Sequence, residues 1–226
     1  MMNINKFIAS SGLCSRRKAD ILVKAGKVKI NDKIAALTDK ISKKDIVKVD
    51  GKIIKPSTKK IYIAFNKPVG VICTTDKDAR DNIMSFIKIP ERVFPVGRLD
   101  VKSSGLILLT NDGDFAQKIL KSKKIEKEYV VEVHKNFDEN FLKRMQKPFI
   151  IDGYPTLPAK INKLSGKVFS IIIKEGRKRQ IRRMCEKLHY EALKLQRVRI
   201  GDITLDNLKE KEYKLLSEEQ IDKYNS

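Results

Sequence analysis

Tryptophan is absent from the 226 residues, histidine occurs twice and cysteine three times. The cysteines, Cys14, Cys73 and Cys185, are far apart and odd in number, and no CxxC pair exists. With His134 and His189 isolated as well, neither a disulfide framework nor a zinc site is expected; buried or idle thiols in a reducing compartment fit better. Long apolar runs are also missing. Leu106-Ile107-Leu108-Leu109 is typical of the longest, far too short to cross a bilayer. The opening MMNINKFIAS lacks the apolar stretch of a signal peptide. A soluble, cytoplasmic protein is the expectation. Acid is the last shortage: 28 acidic residues face 49 basic ones, a net charge of +21. An enzyme for a small neutral metabolite has no use for that excess, whereas a polyanion binder gains affinity and on-rate from it. The bland alternative is a set of solvated lysine faces.

The excess is unevenly spread. Residues 1–60 hold 16 basic and 5 acidic residues, so this quarter of the chain carries about half of it. Ile4, Phe7 and Ile8 recur at helical spacing up to Gly12. Ser15 is placed to cap a second helix, with Ala19, Leu22, Val23 and Ala25 on one face and a stop at Gly26. Arg16, Arg17 and Lys18 crowd its first turn against the helix dipole, which suits phosphates arriving there or three cations in plain water. Strands follow at Val28–Ile30 and around Val47–Val49, with turns at Asn31-Asp32 and Asp50-Gly51 and a return through Ile53-Ile54. Residues 55–60 are polar, contain Pro56 and read as a linker. Two domains are thus expected, 1–60 and 61–226.

From residue 61 strands and helices alternate. Strands are expected at residues 61–66, 106–110, 129–133, 168–173 and 192–200, and helices at 81–87, 114–121, 138–145 and 179–188. The mixture points to an α+β fold, a mostly antiparallel mixed sheet flanked by helices. Three segments could carry chemistry. Asp100 ends the run Pro95-Val96-Gly97-Arg98-Leu99-Asp100 and precedes a loop rich in Ser and Gly, where either a catalytic carboxylate or an ordinary turn residue can sit. Tyr129 opens a strand, where packing of its ring is the default. Arg177, Arg179, Arg182 and Arg183 start a helix whose apolar stripe is Ile181, Met184, Cys185 and Leu188. Their counter-anions must come from RNA, from an ionised Asp or from bulk solvent.

Two resemblances follow. NKFIASSGLCSRRKADILVKAGKVKINDKIA is similar to the α-L RNA-binding module of the ribosomal protein S-four type, which implies RNA binding but no reaction. GRLD, the K-x-Y strand and GRKRQIRRM, in that order and with NKPVG and RVRIGDITLDNL, resemble the pseudouridine synthases acting on ribosomal RNA. That resemblance implies that Asp100 is the nucleophile, that Arg182 is its ion-pair partner, and that Tyr129 lies against the target base. It further implies RNA contacts by Arg16, Arg17, Lys18, Lys27, Lys29, Arg98, Arg177, Arg179 and Arg183. No metal or cofactor is implied. A uridine leaves its stack, its glycosidic bond is broken and the base is rejoined through carbon, work for a carboxylate and an aromatic pocket.

Within the family, SGLCSRRKAD, ARDNI, RVFPVGRLD and RRMCEKLHYEALKL are most like the large-subunit synthase F group. A 23S ribosomal RNA uridine is the implied substrate, with a tRNA anticodon uridine as a second target. Some members continue in a basic tail where this chain ends after Ser217-Glu218-Glu219-Gln220, itself a capping-box pattern, and losing tail contacts bears on tRNA first. A 16S enzyme of the same layout, a non-catalytic RNA-binding assembly factor and a small-molecule enzyme with incidental charge are the alternatives. A monomer is expected, with RNA covering the basic faces.

Overall fold

The computed structural model describes residues 1–76 and 78–224. The chain divides into two compact units, one made of residues 1–61 with 89–93 and 111–113, the other of the remainder.

In the first unit, helices α1 (Ile4–Ser10) and α2 (Arg16–Lys24) pack on small antiparallel strands. Ser15 caps α2 by accepting the Lys18 N–H at 3.2 Å, and Gly26 takes φ +67° just beyond its end. This is the cap-and-stop pair that the sequence signals. Strands β1 (Val28–Ile30), β2 (Lys33–Ile34), β3 (Val47–Val49) and β4 (Lys52–Ile54) lie in the order β2-β1-β3-β4. Asn31 and Asp32, both in left-handed backbone, turn the chain between β1 and β2. Ile4, Ile8, Ala19, Val23, Val28, Ile41 and Val47 form the core.

The second unit is built on one sheet. Its main strands are β5 (Tyr62–Lys67), β6 (Ser104–Thr110), β7 (Lys127–Val133), β8 (Lys160–Lys163), β9 (Val168–Ile173), β10 (Ala192–Ile200) and β11 (Tyr213–Leu215). They run β8-β9-β7-β10-β6-β5-β11, and every pairing is antiparallel except β10 with β6. Helices α3 (Gly113–Lys121), α4 (Glu139–Met145), α5 (Gln180–Glu186) and α6 (Glu218–Asp222) complete the unit. The fold class is α+β, as the alternation of periods requires. Phe115, Ala116 and Ile119 of α3 bury against Ala64, Leu106, Leu108 and Ile200 of the sheet. Ser217 and Gln220 form the capping box of α6. Among the described residues no helix is long and apolar enough to cross a membrane.

Two helices differ from the sequence reading. Residues 81–87 yield only a 3-10 turn, Ile83–Phe86, because Asp81 sits in left-handed backbone and Asn82 caps the Met84 N–H at 2.9 Å. The basic helix starts at Gln180 rather than at Arg179, which is itself left-handed at φ +53°. His189, at φ +62°, ends that region before β10.

Candidate active site

Asp100 stands half-buried on the loop between the short strand Phe94–Pro95 and β6. That loop is pinned on both sides of it. Before Asp100, the Leu99 N–H donates to the Cys73 thiol sulfur at 3.4 Å. After it, the Gly70 N–H donates to the Val101 carbonyl at 2.8 Å and Arg182 Nη2 to the Lys102 carbonyl at 2.8 Å. Ser103 donates its N–H back to the Asp100 carbonyl at 3.0 Å. Gly105, at φ +100°, then lies so close to β10 that a Cβ would overlap the Arg197 backbone. A side chain at that position would pry β6 from its one parallel neighbour and release the loop.

Two buried cations attend this carboxylate. Lys67, fully buried at the end of β5, donates to the carbonyls of Pro68 and Val71, each at 2.9 Å. Burial pulls its pKa down, and nearby Cys73, Asp100 and Glu210 oppose the fall. Arg182, only 6 % exposed on α5, donates to the Ala192 and Lys102 carbonyls. Burial lowers its pKa too, Arg179 adds to the drop, and Asp100 is the largest influence against it. Among the described residues, Asp100 is the one carboxylate acting on both cations. Its relation to Arg182 acts through space: among the described residues no ion pair within 4.0 Å joins the two, since the guanidinium is spent on carbonyls that hold the loop.

Tyr129 is buried on β7, directly opposite Arg197 of β10. Arg197 Nη1 donates to the Tyr129 hydroxyl at 3.4 Å and its Nε to the Leu106 carbonyl at 2.7 Å. Among the described residues, Ser103 Oγ, Arg182 Nε and Arg197 Nη2 are buried without a hydrogen-bond partner. Asn66 Oδ1 is a fourth such atom, and buried polar atoms of this kind are satisfied by solvent or by a ligand. No cluster of three or more His, Cys, Asp or Glu among the described residues is placed to hold a metal ion. Burial pushes the Cys185 thiol up to about 12, so it stays protonated and offers no rival nucleophile.

The basic residues marked as RNA contacts separate into two kinds. Arg16, Arg17, Lys18, Lys27 and Lys29 are exposed in the first unit, Lys27 with Asp50 at 3.6 Å, and Arg98 is exposed in the second. The α5 arginines are otherwise employed. Arg177 donates to the carbonyls of Ile151, Tyr154 and Pro155 and meets Glu175 at 3.5 Å. Arg183 makes a two-pronged pair with Asp152, at 2.8 and 3.0 Å, and Arg179 reaches Glu186 at 3.1 Å. Together Arg177 and Arg183 clamp the hairpin of Ile150–Ile151 and Tyr154–Pro155. Sequence reasoning missed Lys67 and Arg197 as site residues. A lysine ending an otherwise apolar strand was the only signal for the first; Arg197 hid in an alternating apolar and basic strand.

Residues 61–187 match the family described as RNA pseudouridylate synthase, and residues 2–47 match the S4 domain. The dual-specificity RNA pseudouridine synthase RluF of Escherichia coli (strain K12) is 43 % identical over 223 residues, covering 97 % of this chain and 77 % of the relative. Ribosomal large subunit pseudouridine synthase B of Bacillus subtilis (strain 168) is 38 % identical, covering 92 % and 89 %. A crystal structure of a pseudouridylate synthase superposes with a TM-score of 0.72 at 31 % identity, covering 99 % of this chain and all of the other.

Proposed function

The chain belongs to the RNA pseudouridylate synthase family, and from that premise we propose that it isomerises a uridine of 23S ribosomal RNA with Asp100 as the nucleophile. The observation that carries the assignment to Asp100 is its position: a half-buried carboxylate on a loop pinned from both sides, whose charge reaches both Lys67 and Arg182. A relative named for the ribosomal large subunit supports 23S RNA, and one named for dual specificity supports a second RNA target, which we propose is a tRNA anticodon uridine.

The reaction breaks the bond from ribose C1′ to uracil N1, turns the base and closes C1′ to C5. C5 gives up its proton and N1 gains one, so the change is an isomerisation. Asp100 acts as nucleophile or charge stabiliser, released again when the new bond forms. Arg182 aims it by fixing the Lys102 carbonyl, and Asp100 in turn offsets part of the burial cost of the Lys67 and Arg182 cations. Tyr129 lies against the base once it has left the stack. Residues 1–60 act as the RNA-binding domain and 61–226 as the catalytic domain. Arg16, Arg17, Lys18, Lys27, Lys29 and Arg98 meet phosphates, and Arg177, Arg179 and Arg183 shape the hairpin beside the RNA path. The protein works as a cytoplasmic monomer.

A map of pseudouridine in unmodified 23S, 16S and tRNA transcripts after incubation with the protein tests the substrate. One new site in 23S is the expected result, with or without a tRNA site. A site confined to 16S would overturn the substrate while keeping the chemistry.

A further inference from the structure

Arg197 is 6 % exposed, and among the described residues it makes no ion pair or hydrogen bond with a carboxylate. Among the described residues its partners are the Leu106 carbonyl, at 2.7 Å, and the Tyr129 hydroxyl, at 3.4 Å, while Nη2 has none. Its guanidinium carbon lies 5.9 Å from the centre of the Tyr129 ring, within range of a cation–π contact. A second buried cation acts against it: Lys127, two residues from Tyr129 on β7, has its pKa lowered by burial and then by Arg197. Burying an arginine without an acid costs several kcal/mol in general. An apolar side chain of the same length would fill the space without that cost.

We infer that Arg197 is a positioning residue for the uridine isomerisation, acting through Tyr129; this rests on the reading of Tyr129 as the residue against the target base. A guanidinium has donors only. In the Arg197–Tyr129 bond the phenolic oxygen therefore accepts, and the tyrosine's own proton points away from the guanidinium. Arg197 thus fixes two things at once, the tilt of the ring and the direction of its O–H. Its own place is set from the other side: Nε is tied to β6 at Leu106, and its backbone is wedged against Gly105, five residues after Asp100. The strand that carries the nucleophile's loop and the residue that orients the tyrosine are one locked pair. Arg197 Nη2, left open, is available to a bound water or to an oxygen of the substrate.

A double-mutant cycle on the full-length protein tests this, with single-turnover rate at saturating enzyme and RNA affinity measured separately. Arg197→Met should lower the rate about tenfold or more, roughly 1.4 kcal/mol, with affinity within about twofold. Arg197→Lys, which keeps the charge but loses the fork, should restore part of the rate. In a Tyr129→Phe background, Arg197→Met should cost less than about a further twofold. Equal losses in both backgrounds, or a loss confined to affinity or melting temperature, would overturn the inference. If Arg197→Met does not fold, the same cycle run with Arg197→Lys decides it. A fully active Tyr129→Phe would instead strike at the reading of Tyr129 itself, so the two failures are distinguishable.

Discussion

Two helices in this chain begin with a crowd of cations, and the two crowds do different work. At the start of α2, Arg16, Arg17 and Lys18 are exposed, and among the described residues none of the three side chains makes a hydrogen bond or ion pair. At the start of α5, Arg177, Arg179, Arg182 and Arg183 are all engaged, two with carboxylates, one with carbonyls alone and one with both. The same sequence pattern therefore marks loose charge in one place and internal clamps in the other. Loose cations against a helix dipole have a use only when an anion comes from outside. Clamped ones convert charge into geometry, holding the Asp100 loop through Arg182 and the 150–155 hairpin through Arg177 and Arg183.

The contrast is sharpest for Arg182→Ala. That change leaves the Ala192 and Lys102 carbonyls without their donor and should cost about 2–4 kcal/mol of stability, read by denaturant unfolding. Activity should fall by at least about a hundredfold, beyond what the lost stability accounts for. A variant with normal stability would place Arg182 with the loose class. Arg177→Ala should come next, at about 1–2 kcal/mol, with amide exchange rising across residues 150–155 while the core strands stay protected. Unchanged exchange in the hairpin would mean that the clamp is ornamental.

Replacing Arg16, Arg17 and Lys18 by alanine should do the opposite. Melting should shift little, or rise slightly as charges opposing the dipole are removed. RNA affinity should fall roughly tenfold, and the slope of log affinity against log salt should shrink by about 2. A large loss of stability with unchanged salt dependence would erase the comparison.

The smallest effect concerns Lys67. Burial lowers its pKa, so between its folded value and the ordinary lysine value the unfolded chain binds more protons than the folded one. Stability must then rise with pH across that window. Lys67→Met removes this contribution, so the wild type should gain on the variant in thermal melts as pH climbs from 7 towards 10. A constant difference would show that Lys67 titrates normally.

Much of this was legible in the sequence because it is local. Strands 168–173 and 192–200, the Ser15 cap and the Ser217–Gln220 capping box depend on residues within a turn of one another. The α+β class followed from the switch between the two periodicities. What the sequence concealed was long-range. The use of Arg177 depends on carbonyls more than twenty residues away, exposed only because Asp152 and Gly153 turn the hairpin in left-handed backbone. Arg197 became a site residue through register, by standing opposite Tyr129 across a bulged ladder. The ion pair expected of Asp100 and Arg182 is replaced by an arrangement no spacing rule encodes, an arginine that aims a carboxylate by gripping its loop.

The central claim is that Asp100 does chemistry rather than binding. Release of tritium from RNA labelled at uracil C5 measures the reaction directly, because closing C1′ to C5 expels that hydrogen. The wild type should release it, and Asp100→Asn should release none above background while binding the same RNA within about twofold, since the change removes a charge and not a contact surface. Tritium release by Asp100→Asn near the wild-type rate would contradict the account.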